Sequence, residues 1–514
     1  MRATQNLDHI AQLLKTSNKF PMTSTFRFHL FKNLMYDATD VPCFATVARC
    51  ESSSTVYVAR CVYLLYLHPA AKFPGPRLAT VSNIPYVYHW LRGRWPWAVE
   101  DMVKKHGNVV RVAPNEIVFA TSQAAHDIYE AATKHQEDWV KTDLMDFGSK
   151  DGGFLWEQDA AKRKEVAKKL LPAFSHKAIR AKEPTVHHHI DLFVNKMKGI
   201  GHSAEGIDLN TWLLWFAMDM SADLAYSREL HQMRDESSSD FMETMLGTNF
   251  FGTVMQLSKK IPILTPLAYL RRIDNHGKTR HPDLLDYMLP ADPAKPIDQR
   301  GKVHIEQVAF QLLMAGFDPV QLTLYSSLFL LMKTPETLKI LTREIRTAFD
   351  IYDEITADSL ASIPYLNACI HETLRVHVPG ATGGPRISPG AVVDGIYVPK
   401  GVVCQVSLFT IARHPQNFHD PLSFRPARWL SSDHPQYDSR FSNDNLKVLF
   451  PFGLGPRACL GREIAWSQCR LFLAKVLWTF DLTLTHGENF AFDADFSTHV
   501  MWYKPPLRVR FSQR

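Results

Sequence analysis

A chain of 514 residues is long enough for several domains and still within reach of one large enzyme domain. Hydrophobic residues make up 46% and charged residues 21%, which excludes a disordered chain and supplies a large core. The 58 Lys and Arg against 52 Asp and Glu leave a diffuse +6 with no basic tract carrying interleaved aromatics, so nucleic acid is not an expected partner. The seven cysteines are Cys43, Cys50, Cys61, Cys369, Cys404, Cys459 and Cys469. They are odd in number and form no CxxC pair, which argues against zinc and against a disulfide framework. A reducing compartment and free thiols are the expectation.

Residues 1–54 show no sustained period and read as an N-terminal segment of undefined structure. Residues 55–71 contain the apolar run Thr55 to Leu67, interrupted by Arg60. A bilayer span needs about 20 apolar residues, so this run is expected to lie in a membrane interface with its arginine snorkelling. It starts too late and lacks the small-residue cleavage site of a signal peptide. Lys72-Phe73-Pro74-Gly75-Pro76 is a stiff elbow that can neither continue a helix nor pair as a central strand, and it opens the main domain, residues 72–514.

Val109 to Ala113 and Ile117 to Ala120 predict a hairpin around Pro114-Asn115. Helical patterns dominate to about residue 375, among them Gln158–Phe174 and Thr211–Leu224. Gln307 to Leu331 is predominantly apolar with Asp318 as its single charge. Gln307, Gln311, Asp318, Pro319 and Gln321 argue for a buried helix with polar atoms turned toward a site, rather than a membrane span. Beyond residue 380 short β runs take over, at Val392–Tyr397 and Val402–Ser407, with a last β-like pair between Phe490 and Phe511. The fold class is therefore mainly α with a minor β region, its sheet drawn from both ends of the domain.

The strongest chemical signal is Phe452-Gly453-Leu454-Gly455-Pro456-Arg457-Ala458-Cys459-Leu460-Gly461. A cysteine that ligates haem iron must be a thiolate, kept from water and supported by donors. Glycines at 453, 455 and 461 let the backbone turn tightly and bring amide N–H groups toward the sulfur. Arg457 offers a fixed cation to a haem propionate. Glu463-Ile464-Ala465-Trp466 starts a helix whose N-terminal dipole favours a thiolate. An ordinary Gly-rich loop would match these positions by chance in roughly one chain in ten thousand.

This loop resembles the cytochrome P-450 family, whose signature Phe-x-x-Gly-x-Arg-x-Cys-x-Gly is complete here. Glu372-Thr373-Leu374-Arg375 matches that family's Glu-x-x-Arg, and Phe424-Arg425-Pro426-Ala427-Arg428-Trp429 its Phe-x-Pro-x-Arg-aromatic segment. Pro385-Arg386-Ile387 and Leu170-Leu171-Pro172-Ala173-Phe174-Ser175 also resemble family segments, and the resemblance runs from about residue 62 to 514. Its flavour is that of fungal enzymes of secondary metabolism, as in Tyr66-Leu67-His68-Pro69 and Trp502-Tyr503-Lys504-Pro505-Pro506-Leu507. The resemblance implies the cytochrome P-450 fold, heme b with Cys459 as axial thiolate, and Arg386 and Arg457 on the propionates. It also implies a structural lock of Glu372, Arg375 and Arg428. Implied partners are a hydrophobic small-molecule substrate, an NADPH-cytochrome reductase delivering electrons from NADPH, and the cytosolic face of the endoplasmic reticulum membrane.

Two departures stand out. The central helix reads Ala315-Gly316-Phe317-Asp318-Pro319-Val320, with proline where the family carries threonine. That hydroxyl helps supply protons for dioxygen cleavage, so Asp318 would assist the relay. Pro319 would kink the helix and hold its groove open, and Thr323 would be a weaker substitute one turn on. Phe317 and Val320 are expected to line the pocket. In the third major helix, Ala167 replaces the usual basic residue and Arg163 the usual Trp, so Arg163 or Lys168 would compensate. Lys162, Arg163, Lys164, Lys168 and Lys169 would contribute to a docking face for an acidic reductase. The implied reaction is monooxygenation. A haem-thiolate isomerase, dehydratase or peroxide-driven enzyme tolerates a missing threonine equally, and so does a non-catalytic haem binder.

Overall fold

The computed structural model describes residues 55–134, 137–145, 151–261 and 299–514. By compactness the chain divides into Met1–Tyr63 and Leu64–Arg514. Residues 1–54, expected to lack defined structure, lie outside the described residues. In the first unit residues 55–62 are helical, with Val56, Tyr57, Val58 and Val62 exposed. Residues 64–71, grouped in sequence with the apolar run, belong to the second unit. Arg111 explains this, because its buried guanidinium donates to the Leu64 carbonyl at 2.8 Å.

The second unit opens, after two short helices, with helix α1 (Trp95–His106) and the hairpin of β1 (Val109–Ala113) and β2 (Glu116–Phe119). Helix α2 (Ser122–Tyr129) and strand β3 (Val140–Lys141) follow. Asp159 caps α3 (Ala160–Leu170) by accepting from Ala161 N–H at 2.8 Å, and a 3₁₀ turn, Leu171–Phe174, ends that segment. Next come α4 (His176–Ile200), β4 (Ile207–Asp208), α5 (Leu209–Tyr226), α6 (Asp240–Ser258) and α7 (Gln299–Lys333). The C-terminal part holds α8 (Pro335–Ala348), α9 (Pro364–Val376), β5 (Arg386–Ile387), β6 (Ala391–Val393), β7 (Ile396–Val398) and β8 (Val403–Val406). It ends with α10 (Arg462–Thr479), β9 (Phe480–His486), β10 (Ser497–Thr498), β11 (Trp502–Tyr503) and β12 (Arg508–Gln513).

One large apolar core lies among α4, α5, α7, α9 and α10. Phe193, Phe216 and Phe472 meet at its centre, with ring centroids 4.7 to 6.1 Å apart. Some polar atoms of helix α7 find partners, with Gln321 donating to Asn210 at 3.0 Å and Ser327 to Thr373 at 3.1 Å, while among the described residues the buried Ser326 hydroxyl and Gln321 Oε1 have none. Among the described residues no helix is long and apolar enough to cross a membrane.

The five-stranded sheet runs β1-β2-β8-β5-β3, joining residues from both ends of the unit as the sequence predicts. The run Val392–Tyr397 is not one strand but the hairpin of β6 and β7. Asp394 and Gly395 form its two-residue turn at φ 48° and 75°, a backbone that the Asp-Gly pair accommodates. Strand β9 escapes the sequence reading because it follows α10 without a turn residue; it pairs with β12, while β10 and β11 form the pair expected between Phe490 and Phe511.

Candidate active site

The cysteine loop is closed by its own backbone. Gly453 N–H donates to Phe450 O at 2.8 Å, Cys459 N–H to Phe452 O at 2.7 Å and Ala458 N–H to Gly455 O at 3.0 Å. Gly453 and Gly455 lie at φ 74° and 66°, where a Cβ is strained. At Gly455 a Cβ would also fall 2.1 Å from the Tyr129 carbonyl oxygen. Gly461 differs from the expectation: it is the N-cap of α10 at φ −84°, and a Cβ there would make ordinary contacts, 3.6 Å to Ile464 and 3.9 Å to Cys459 Sγ. Its contribution is its N–H. Burial raises the Cys459 thiol above its ordinary range, and the Gly461 amide bonded to the sulfur pulls it back down. By area Cys459 is exposed, yet burial raises its thiol, and a side chain lining a recess satisfies both. Phe452 flanks the loop, its ring 6.4 Å from Trp466 on α10.

Four cations gather beside this loop. Arg163, 7% exposed, donates to the Pro456 carbonyl and lies 4.6 Å over the Phe154 ring. Arg457 donates to Glu157 O at 2.8 Å. Arg386, 6% exposed, sits 5.2 Å over the Tyr129 ring and donates to Gly384 O at 3.0 Å. Lys141 is the partner of Arg386 in the β3–β5 register and donates to the Leu155 carbonyl. Burial, then Arg386, Arg457 and Arg163, hold the Lys141 ammonium well below its usual range. Burial, then Arg457 and Arg386, lower Arg163 to about 10, and burial lowers Arg386 to about 10. Burial also lowers Arg457, against the Asp138 and Glu157 carboxylates, and buried cations crowded in this way favour anions beside them. Lys141 escaped the sequence reading because Val140-Lys141 carries no motif; only the strand register brings it to Arg386.

Helix α3 separates its charges by face. Arg163 points inward, Ala167 is buried with Val166 and Leu170, and Lys162, Lys164, Lys168 and Lys169 are exposed. Of the two candidates, Arg163 reaches the cysteine loop.

Glu372, Arg375 and Arg428 meet in the interior. Arg375 donates to both Glu372 oxygens, at 2.9 and 2.8 Å, and Arg428 Nε donates to Glu372 Oε1 at 3.0 Å. Trp429 Nε1 and Arg425 N–H complete the carboxylate shell at 2.9 and 2.8 Å. Arg428 also pairs with Asp444, and Arg375 donates to the carbonyls of Ala412, Pro421 and Ser423 at 2.6 to 2.9 Å. Burial alone would raise the Glu372 carboxyl, but the two arginines outweigh it and hold it below its usual range.

On α7, Leu312 shares an apolar cluster with Leu460, the neighbour of Cys459. Gly316 meets α5 where a Cβ would lie 2.6 Å from Ser221 Oγ. Asp318 lies 3.8 Å from the Lys504 ammonium. Pro319 has no N–H to return to the Ala315 carbonyl, yet the helix continues past it, and Ala315 is exposed. The Thr323 hydroxyl donates to the Pro319 carbonyl at 2.7 Å. Phe317 and Val320, expected in the pocket, are instead 1% and 3% exposed in the main core. They share the inward face with Leu313 and Leu324, three to four residues away, while Phe310 and Ala315 are exposed.

A cytochrome P-450 family model matches residues 74–281 and 268–511. The chain belongs to the cytochrome P-450 family. A cytochrome P-450 monooxygenase of Talaromyces wortmannii, TwmD, is 46% identical over 484 residues, covering 89% of this chain and 94% of the relative. A cytochrome P-450 monooxygenase of Botryotinia fuckeliana is 30% identical over 475 residues, covering 88% and 93%. The monooxygenase poxC of Penicillium oxalicum is 31% identical over 478 residues, covering 89% and 93%.

This P-450 is a haem-thiolate monooxygenase of mainly α fold, an oxidoreductase that takes NADPH electrons through a redox partner and oxidises hydrophobic small molecules. The site accepts its cofactor. Four cations that repel one another suit two propionates, and a thiol with an amide donor and a helix N-terminus behind it suits a thiolate ligand.

Proposed function

We propose that Cys459 ligates the haem iron, that Arg163, Arg386, Arg457 and Lys141 neutralise its propionates, and that the enzyme oxidises a hydrophobic intermediate of fungal secondary metabolism. The observation that carries this is the convergence of the Cys459 loop with four cations from α3, β3, β5 and the loop itself. Haem held in this way supplies dioxygen chemistry, with the thiolate donating electron density that favours O–O cleavage. The chain supports the ligand charge through the Gly461 N–H and the first turn of α10. Phe452 and Gly453 shape the loop on its other side. Asp318 serves as the acid that holds a proton for the site. Burial raises its carboxyl above the usual range, and Lys504 opposes that rise. Thr323 orders the helix around Pro319 through its bond to the Pro319 carbonyl.

The membrane reading rests on exposed apolar side chains. In the first unit these are Val56, Tyr57, Val58, Val62 and Tyr63; in the second, Tyr66, Leu67, Leu78 and Ile84. They support attachment to the cytosolic face of the endoplasmic reticulum. The exposed lysines of α3, at 162, 164, 168 and 169, support docking of an acidic NADPH-cytochrome reductase.

The deciding test is Cys459→Ser, read by the spectrum of the reduced carbon monoxide complex. Loss of the band typical of thiolate ligation is expected; an unchanged band would refute the ligand assignment. NADPH- and reductase-dependent oxygen consumption with product formation should accompany the parent protein.

A further inference from the structure

Asp318 and Lys504 are brought together only by the tertiary fold. Asp318 stands on α7 directly before Pro319, and Lys504 follows β11 near the C-terminus. Lys504 Nζ lies 3.8 Å from Asp318 Oδ1, with side chains 5% and 16% exposed respectively. The chain on either side of Lys504 is pinned. Tyr325 on α7 donates to the Pro505 carbonyl at 2.8 Å, and the Trp502 indole donates to the Val378 carbonyl at 3.2 Å. Burial raises the Asp318 carboxyl and lowers the Lys504 ammonium, and each opposes the other's shift. Each charge therefore favours the charged form of the other, and Lys504 stabilises the carboxylate that Asp318 becomes when it gives up a proton. A separation of 3.8 Å is an ion pair longer than an ordinary hydrogen bond.

We propose that Lys504 is the positioning residue for Asp318, doing through its charge what a hydroxyl on the following residue does in the family's usual helix. This rests on the reading of Asp318 as the proton-holding acid. The proton count closes without an electron or a further reactant. The Asp318 carboxyl releases one proton to the site and becomes a carboxylate beside the Lys504 ammonium, which keeps its own protons, and solvent returns one proton to the carboxylate. Pro319 fits this assignment, because with Lys504 in place the next helical position needs no hydroxyl.

The test uses the haem-loaded, full-length protein with its reductase and compares the parent, Lys504→Arg, Lys504→Met, Asp318→Asn and the Met/Asn double variant. Product formed per NADPH, peroxide released and thermal unfolding are measured. Lys504→Met is expected to lower product per NADPH by roughly ten-fold, with the electrons emerging as peroxide. KM and the reduced carbon monoxide band should stay unchanged. Lys504→Arg restores coupling because it restores the charge. The double variant is no worse than Asp318→Asn alone, and the unfolding data show a non-additive pair. Should Lys504→Met fail to fold, Lys504→Gln carries the same expectation. If Lys504→Met couples like the parent while Asp318→Asn does not, the role of Lys504 is overturned and that of Asp318 stands. If neither substitution changes coupling, the reading of Asp318 itself falls.

Discussion

At Gly455 two demands coincide on one atom. Its φ of 66° favours glycine, and the Tyr129 carbonyl occupies the place of any Cβ, 2.1 Å away. Gly461 makes neither demand. Gly455→Ala should therefore destabilise the protein by about 1–3 kcal/mol from the backbone alone, with the overlap adding to it. Gly461→Ala should change stability by less than about 1 kcal/mol. Urea unfolding of the two variants checks this; equal losses would show that the loop glycines are interchangeable. The same scale explains one expectation that the structure revised: Phe317 and Val320, expected to line the pocket, are buried in the main core. A residue's type states what it can do, and its helical face decides where it does it.

Between elements, α9 is tied to the segment around Arg428 through the Glu372 carboxylate and through Arg375, which donates to the Pro421 and Ser423 carbonyls. Glu372 accepts from Arg375 on its own helix and from Arg428, Trp429 and the Arg425 backbone, the last three on the segment that precedes the Cys459 loop. Removing the charge leaves the buried Arg375 guanidinium without a counterion, while Arg428 keeps Asp444, so Glu372→Gln should cost about 3–5 kcal/mol. The carboxyl of Glu372 lies below its usual range in the folded protein. Its stabilisation is thus complete above the unfolded value of about 4.3 and fades as pH falls through the lower folded value. Unfolding measured from pH 7 downward should show a shallower acid loss in Glu372→Gln than in the parent. A parallel pair of curves would mean that this carboxylate does not govern the acid limb.

Over the molecule as a whole, apolar exposure is concentrated near the start of the described chain. Val58 and Val62 are 60% and 47% exposed on a helix that also carries Tyr57 and Arg60. A charged side chain in the apolar region of a bilayer costs enough to reverse interfacial binding. Val58→Asp with Val62→Asp should weaken binding to neutral phosphatidylcholine vesicles by roughly ten-fold or more in flotation assays. Unaltered binding would place the membrane contact elsewhere, and substrate oxidation in detergent should be unaffected by the pair.

The family resemblance implied the lock of Glu372 and Arg375 with Arg428; the residues themselves determined the fold class, the cysteine loop, the Glu372-Arg375 spacing and the buried character of α7. Each of these is written in local spacing: one turn of helix, one tight loop, one apolar run with a lone acid. What only the tertiary structure decided is which charges meet. Lys141 reaches Arg386 through the register of β3 on β5, Arg163 rather than Lys168 turns inward on α3, and Lys504 arrives beside Asp318 from the far end of the chain. No local pattern encodes such pairings, because the free energy of a buried charge depends on what the rest of the fold places within a few ångströms of it.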